Sequence, residues 1–153
     1  MKNLLLLLPL FTLFGCDVEV EHKVETTTSP EYLLMPGMEG LDLPFSSAVR
    51  VGNTLYVSGN IGNIPGSMEL AEGGIAGETR QTLENISAVV EQFGSSMDTV
   101  VKCTVFLADM AEWGAMNEVY KTFFKNAPAR SALGASGLAL NARVEIECIA
   151  VTG

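Results

Sequence analysis

Histidine is almost missing from this chain: the single copy is His22. A Ser-His-Asp relay in the folded part, or a metal site needing two imidazoles from one chain, is therefore excluded. Basic side chains are scarce too, with 9 Lys+Arg against 18 Asp+Glu and a formal net charge of -9. So acidic a surface repels a phosphate backbone, which argues against nucleic acid as a partner. Cysteine occurs three times, an odd number that cannot form a self-contained disulfide framework. No Walker loop, dinucleotide glycine fingerprint, Cys-x-x-Cys pair or His-Glu-x-x-His helix occurs.

What is present is enough for one folded domain: 153 residues, 48% of them hydrophobic and 18% charged. The apolar run Leu4–Phe14, broken by Pro9 and Thr12, would be about 16 Å long as a helix, half of a bilayer core. That length suits the h-region of a signal peptide. The run ends in Leu13-Phe14-Gly15-Cys16, which resembles a bacterial lipobox, with Phe14 where a small residue is usual. The expected division is a signal peptide over 1–15, a lipidated Cys16 with an acidic tether over 16–40, and a folded domain over 41–153. The expected location is outside the inner membrane barrier: an exported, membrane-anchored lipoprotein facing the periplasm. The tether stretch 17–31 holds five acids, one Lys, a Thr run and Pro30, too few large apolar residues for a core.

Within the domain, Ser46–Val51 and Thr54–Ser58 have strand composition, and Gly52-Asn53 joins them as a hairpin. Residues 59–74 read as a glycine-rich loop with a short strand near Met68–Leu70. Apolar residues from Ile75 to Phe93 recur every three or four positions, which predicts a helix stopped by Gly94, with Glu78 off the buried stripe. Asp98–Ala108 predicts a strand with Val101, Cys103, Val105 and Leu107 on one face. Asp109 and Glu112 have capping-box spacing for a second helix. Trp113, Met116, Val119 or Tyr120, and Phe123 mark its core stripe, and Pro128 is its stop. Arg130–Gly137 and Ala142–Thr152 complete the strands. The order β-β-(β)-α-β-α-β-β predicts an α+β domain, two helices on one face of a mixed sheet. Phe106, Ile149 and Val151 fall on the opposite sheet face, which self-association would cover.

Two residues stand out chemically. Arg130 follows Pro128-Ala129 at the opening of a strand, and a guanidinium grips a carboxylate with two parallel N–H bonds. Glu145 shares a strand face with Glu147, so each disfavours the other's ionisation where that face is buried. Cys103 and Cys148 alternate with apolar neighbours and read as buried thiols. A disulfide between them stays open, since it depends on the strands being adjacent.

Ordered blocks from Leu41 to Thr152 resemble the Rid family, the reactive intermediate deaminases, also called the YjgF family. The blocks are Leu55-Tyr56-Val57-Ser58-Gly59-Asn60-Ile61-Gly62, Glu78–Ile86, Val101–Met110, Met116–Tyr120 with Phe123-Phe124, Pro128–Ser131 and Val144–Ala150. The resemblance implies a chorismate-mutase-like fold, a homotrimer with clefts between subunits, and no cofactor. It implies hydrolysis of enamines and imines such as 2-aminoacrylate and 2-iminobutanoate to 2-oxo acids and ammonia. Arg130 corresponds to the arginine that holds the substrate carboxylate, and Glu145 to the acid that positions water. Phe45, Gly59 and Asn117 correspond to substrate-binding positions. The chain departs from the family in three places: Phe45 stands where many members carry Tyr, Ala132 where many carry Cys, and Asn60 where Gln is usual. The alternative expectation is a trimeric module that binds a small carboxylate in the same cleft without turnover.

Overall fold

The computed structural model describes residues 29–153; the stretch expected to be a signal peptide, Cys16 and residues 17–28 of the expected tether lie outside the described residues. Six strands form one sheet: β1 (Glu31–Leu33), β2 (Ala48–Val51), β3 (Thr54–Ile61), β4 (Val100–Leu107), β5 (Ala129–Gly134) and β6 (Val144–Val151). Their order is β1-β2-β3-β6-β4-β5, with all pairs antiparallel except β4 and β5. Two helices, α1 (Gly74–Gln92) and α2 (Trp113–Tyr120), pack on the same face. The expected mixed sheet with two helices on one side is what the chain forms. Strand β1 falls in the stretch assigned to the tether, and pairs Tyr32 with Val49 at the sheet edge.

The core lies between sheet and helices. Leu55 and Val57 from β3, Val105 and Leu107 from β4, and Val144, Ile146 and Ala150 from β6 meet Leu83, Ile86 and Val90 from α1. The period of two along β6 is the cause: alternate residues of Val144–Val151 are buried and their neighbours are not. In β4 the expected alternation fails at its start. A register irregularity between Val100 and Lys102 leaves Val101 exposed and puts Val100, rather than Val101, on the core face with Cys103. The loop strand expected near Met68–Leu70 is reduced to a single bridge between Asn63 and Leu70.

Cys103 and Cys148 face each other in register across β4 and β6 and form a disulfide. The adjacency that sequence could not supply decides the matter in favour of the bond. Glu78 is another correction: it is buried, because its carboxylate accepts the backbone N–H of Arg143 at 2.7 Å. That bond fixes the entry of β6 two residues before Glu145.

The second helix begins and ends differently from the pattern. Asp109 accepts the Ala111 N–H at 2.8 Å and so caps a 3-10 turn, Met110–Glu112, that leads into α2. Glu112 does not close a capping box; its carboxylate pairs with the Arg143 guanidinium instead. Trp113, expected in the core stripe, is 44% exposed. After Tyr120 the chain tightens into i→i+3 bonds, Thr122 to Val119 and Phe123 to Tyr120, so the helix stops well before Pro128. Phe124 turns inward and packs its ring 4.8 Å from that of Tyr120.

Candidate functional site

The residues singled out by sequence fall into two groups on opposite faces of the sheet. Arg130 is the second residue of β5 and pairs with Cys103, whose side chain faces the helices. Register neighbours share a face, so Arg130 projects to the helix side. There its guanidinium lies over the Tyr120 ring, 4.6 Å from the centroid. A cleft of about 430 Å³ opens beside it, lined by Asn117, Tyr120, Phe124, Pro128 and Arg130 among others. Asn117 and Tyr120 are three apart on α2 and therefore share one helix face. Among the described residues no carboxylate pairs with Arg130.

Glu145 belongs to the other group. It is the second residue of β6, opposite Phe106 on β4 and Ile61 on β3, on the face turned away from the helices. Gly59 lies directly under its carboxylate: a methyl group on Gly59 would overlap Oε1 of Glu145. The β3–β6 ladder slips between Val57 and Asn60, and this irregularity opens the space the carboxylate takes. Phe45 precedes Ser46, whose carbonyl accepts the Ser58 hydroxyl at 2.7 Å, so it is tied to the segment leading into Gly59. Its ring is 53% exposed.

Burial raises the Glu145 carboxyl above its ordinary value, and the Glu147 charge two residues on adds to the effect. The repulsion expected from their shared face is therefore present. Burial also pushes the Tyr120 phenol up to about 12, against a smaller opposing pull from Arg130. Among the described residues the hydroxyl has no hydrogen-bond partner, and it stays neutral across ordinary pH.

One chain does not bring Arg130 and Glu145 together. They are two strands and three register steps apart, roughly 14 Å by standard strand spacings, and on opposite faces. The structure joins Arg130 to Asn117 in one half-site and Glu145 to Gly59 in another, and links Phe45 to the second only through the chain neighbour Ser46. Tyr120 is the site residue that the sequence pattern placed in the core stripe alone. Its spacing of three from Asn117 was the available signal.

The fold and the two half-sites define a class: a single mixed-sheet α+β domain with an unpaired arginine on one face and a half-buried carboxylate on the other. The sequence profile described as "Endoribonuclease L-PSP" matches residues 41–152, and the chain belongs to that family. The 2-iminobutanoate/2-iminopropanoate deaminase of Mus musculus is 45% identical over 111 residues, 72% of this chain and 82% of its own length. The human protein of the same name is 43% identical over 119 residues, 77% of this chain and 85% of its own. The crystal structure of RidA from an Antarctic Psychrobacter superposes with a TM-score of 0.69 at 35% identity, covering 82% of this chain and 98% of its own.

Proposed function

We propose that this protein hydrolyses reactive imines of amino acids to 2-oxo acids and ammonia, in a cleft completed by a second copy of the chain. The observation that carries the proposal is the unpaired Arg130 at an open cleft, in a chain over two-fifths identical to proteins named as imine deaminases. Arg130 binds the substrate carboxylate through two N–H bonds and sets the imine carbon's position. Asn117, on the same cleft wall, offers an amide for the remaining polar atom. Glu145 from the adjoining copy holds a water and takes its proton as the oxygen bonds to the imine carbon. Glu145 then gives that proton to the imine nitrogen, leaving a neutral carbinolamine. Glu145 next takes the carbinolamine hydroxyl proton and passes it to the amino nitrogen, so the C–N bond breaks, ammonia leaves and the carbonyl forms. An enamine enters the sequence after tautomerising to the imine. A carboxyl with a raised pKa is suited to both proton transfers. The reaction needs no metal or organic cofactor.

The same geometry supports an assembly of several copies. Phe106, Tyr56, Ile149 and Val151 leave the outer sheet face partly apolar, and a homotrimer that covers it would bring one copy's Glu145 to the next copy's Arg130. The family description speaks of an endoribonuclease. The net charge of -9 and a single His, at position 22, oppose RNA cleavage by this chain. The proposed address is an exported, lipid-anchored protein, with Cys16 the lipidated residue. The buried disulfide supports it, since such bonds persist in oxidising compartments.

The test is ammonia release from 2-iminobutanoate generated in situ, using the chain from Asp17 onward. Wild type should accelerate release, and Arg130→Ala should lose about 10²-fold or more in kcat/KM. Normal turnover by Arg130→Ala overturns the mechanism. Saturable binding of 2-oxobutanoate without turnover assigns the cleft to a binding module. For the address, Cys16→Ser in the full chain should free the protein from membranes; continued membrane association refutes the lipid anchor.

A further inference from the structure

We propose that Tyr120 is a positioning residue: its ring face is the platform that aims the Arg130 guanidinium into the cleft. The inference rests on Arg130 being the carboxylate-binding group, and it concerns how that group is held.

Arg130 sits near the start of β5, the sheet's edge strand, so β-pairing restrains it from the β4 side only. No carboxylate among the described residues fixes its fork. A long, unpaired guanidinium at an edge strand would lose considerable rotamer freedom on gripping a ligand. The structure supplies a different restraint. The guanidinium carbon stands 4.6 Å from the centroid of the Tyr120 ring, within the range where the negative π-face attracts a cation. Such a contact orients the charge while leaving the N–H fork free for a carboxylate, which an Asp or Glu in the same place would occupy.

The platform is itself held. Tyr120 is only 6% exposed. Phe124 packs against it with ring centroids 4.8 Å apart and a 41° tilt. Its hydroxyl bonds to no group among the described residues, so within them the ring is placed by packing and not by its polar tip. The phenol stays protonated at working pH, so no phenolate charge competes with a substrate carboxylate for Arg130. Asn117, one turn earlier on α2, lines the same cleft. One helix therefore sets both the amide and the aromatic face, and a core residue by pattern acts on the ligand through Arg130.

The test separates the ring's electronic character from its shape. Tyr120→Phe removes only an unbonded hydroxyl and should leave KM within about threefold of wild type. Phenylalanines with one, two, three and then five ring fluorines at position 120 keep the shape while draining the negative face. KM should climb stepwise across the series to about tenfold, with kcat changing much less. In the Arg130→Ala background the same series should be flat. A flat series in the wild-type background overturns the proposal, as does an equal rise with and without Arg130. Leu55→Ala, a core truncation on β3 outside the cleft lining, reports the effect of a destabilised fold alone; a matching rise in KM there also overturns it. The Kd of 2-oxobutanoate, measured on the same proteins, should follow the same stepwise series. That binding readout stands if the wild type releases no ammonia, so loss of the deaminase reading and loss of the platform are told apart.

Discussion

At the residue scale, the informative position is one where a side chain is missing. Gly59 leaves room for the Glu145 carboxylate, and any Cβ there would meet Oε1. The atom met is the far end of a flexible side chain and not backbone, so the fold can absorb Gly59→Ala by swinging the carboxylate aside. Stability should change little, within about 1 kcal/mol. Activity should not survive so well: a base misplaced by about an ångström loses on the order of 10²-fold in kcat. The pH profile should move as well. Glu145 titrates above its ordinary value because it is partly buried and faces Glu147. As the proposed base it must be ionised, so kcat should fall on the acid side through that raised pKa. Swinging the carboxylate outward lowers the desolvation, so the acid limb of Gly59→Ala should shift to lower pH. The sign for stability is the reverse of a salt-bridged acid. A folded-state pKa above the unfolded one means ionisation opposes folding, and Glu145→Gln should stabilise the protein above that pKa and not below the unfolded value. A Gly59→Ala enzyme with unchanged kcat and acid limb would remove Gly59 from the site.

At the scale of elements, the β4–β6 pair carries most of the architecture. It joins the strand of Glu145 to the strand next to Arg130, and the Cys103–Cys148 disulfide crosses it. The bond closes a loop of 45 residues, for which chain-entropy reasoning gives about 4 kcal/mol of stabilisation. Urea unfolding of protein refolded with and without reductant, at one protein concentration, should differ by roughly that amount with a similar slope. Identical midpoints would mean that the bond does not form. The strands and α1 were legible because alternation and three-to-four spacing record which face is buried. The candidates Arg130, Glu145, Gly59, Asn117 and Phe45 came from the family resemblance, not from periodicity, and the structure sorts Arg130 with Asn117 and Glu145 with Gly59. Illegible were features set by contacts distant in sequence. The slip at Val101 comes from pairing with β6, the burial of Glu78 from the Arg143 N–H, and the early end of α2 from Phe124 turning onto Tyr120. Tyr120 itself was hidden because an apolar stripe has the same spacing whether a ring fills a core or carries a cation.

At the scale of the molecule, the decisive fact is that Arg130 and Glu145 occupy opposite faces of one sheet. No rotamer change in one chain brings both onto a four-carbon imine. A functional cleft of the proposed kind therefore takes its arginine from one copy and its acid from another, and that arrangement has a consequence that a single-chain site lacks. Arg130→Ala assemblies and Glu145→Gln assemblies should each be inactive. Unfolded together in equal amounts and refolded, the two chains can assort into mixed trimers. A cleft is then intact whenever its arginine comes from a Glu145→Gln chain and its acid from an Arg130→Ala chain. With random assortment in a closed ring that happens in about a quarter of clefts, so about a quarter of wild-type activity should return. The remaining clefts lack one group or both. Recovery should depend on exchange: mixing the two folded proteins without unfolding should restore activity only as fast as subunits dissociate. Sedimentation of the same samples should show trimers throughout. No recovery from well-formed mixed trimers would place both groups on one chain's own site, against the register of the sheet, and would end the shared-cleft reading.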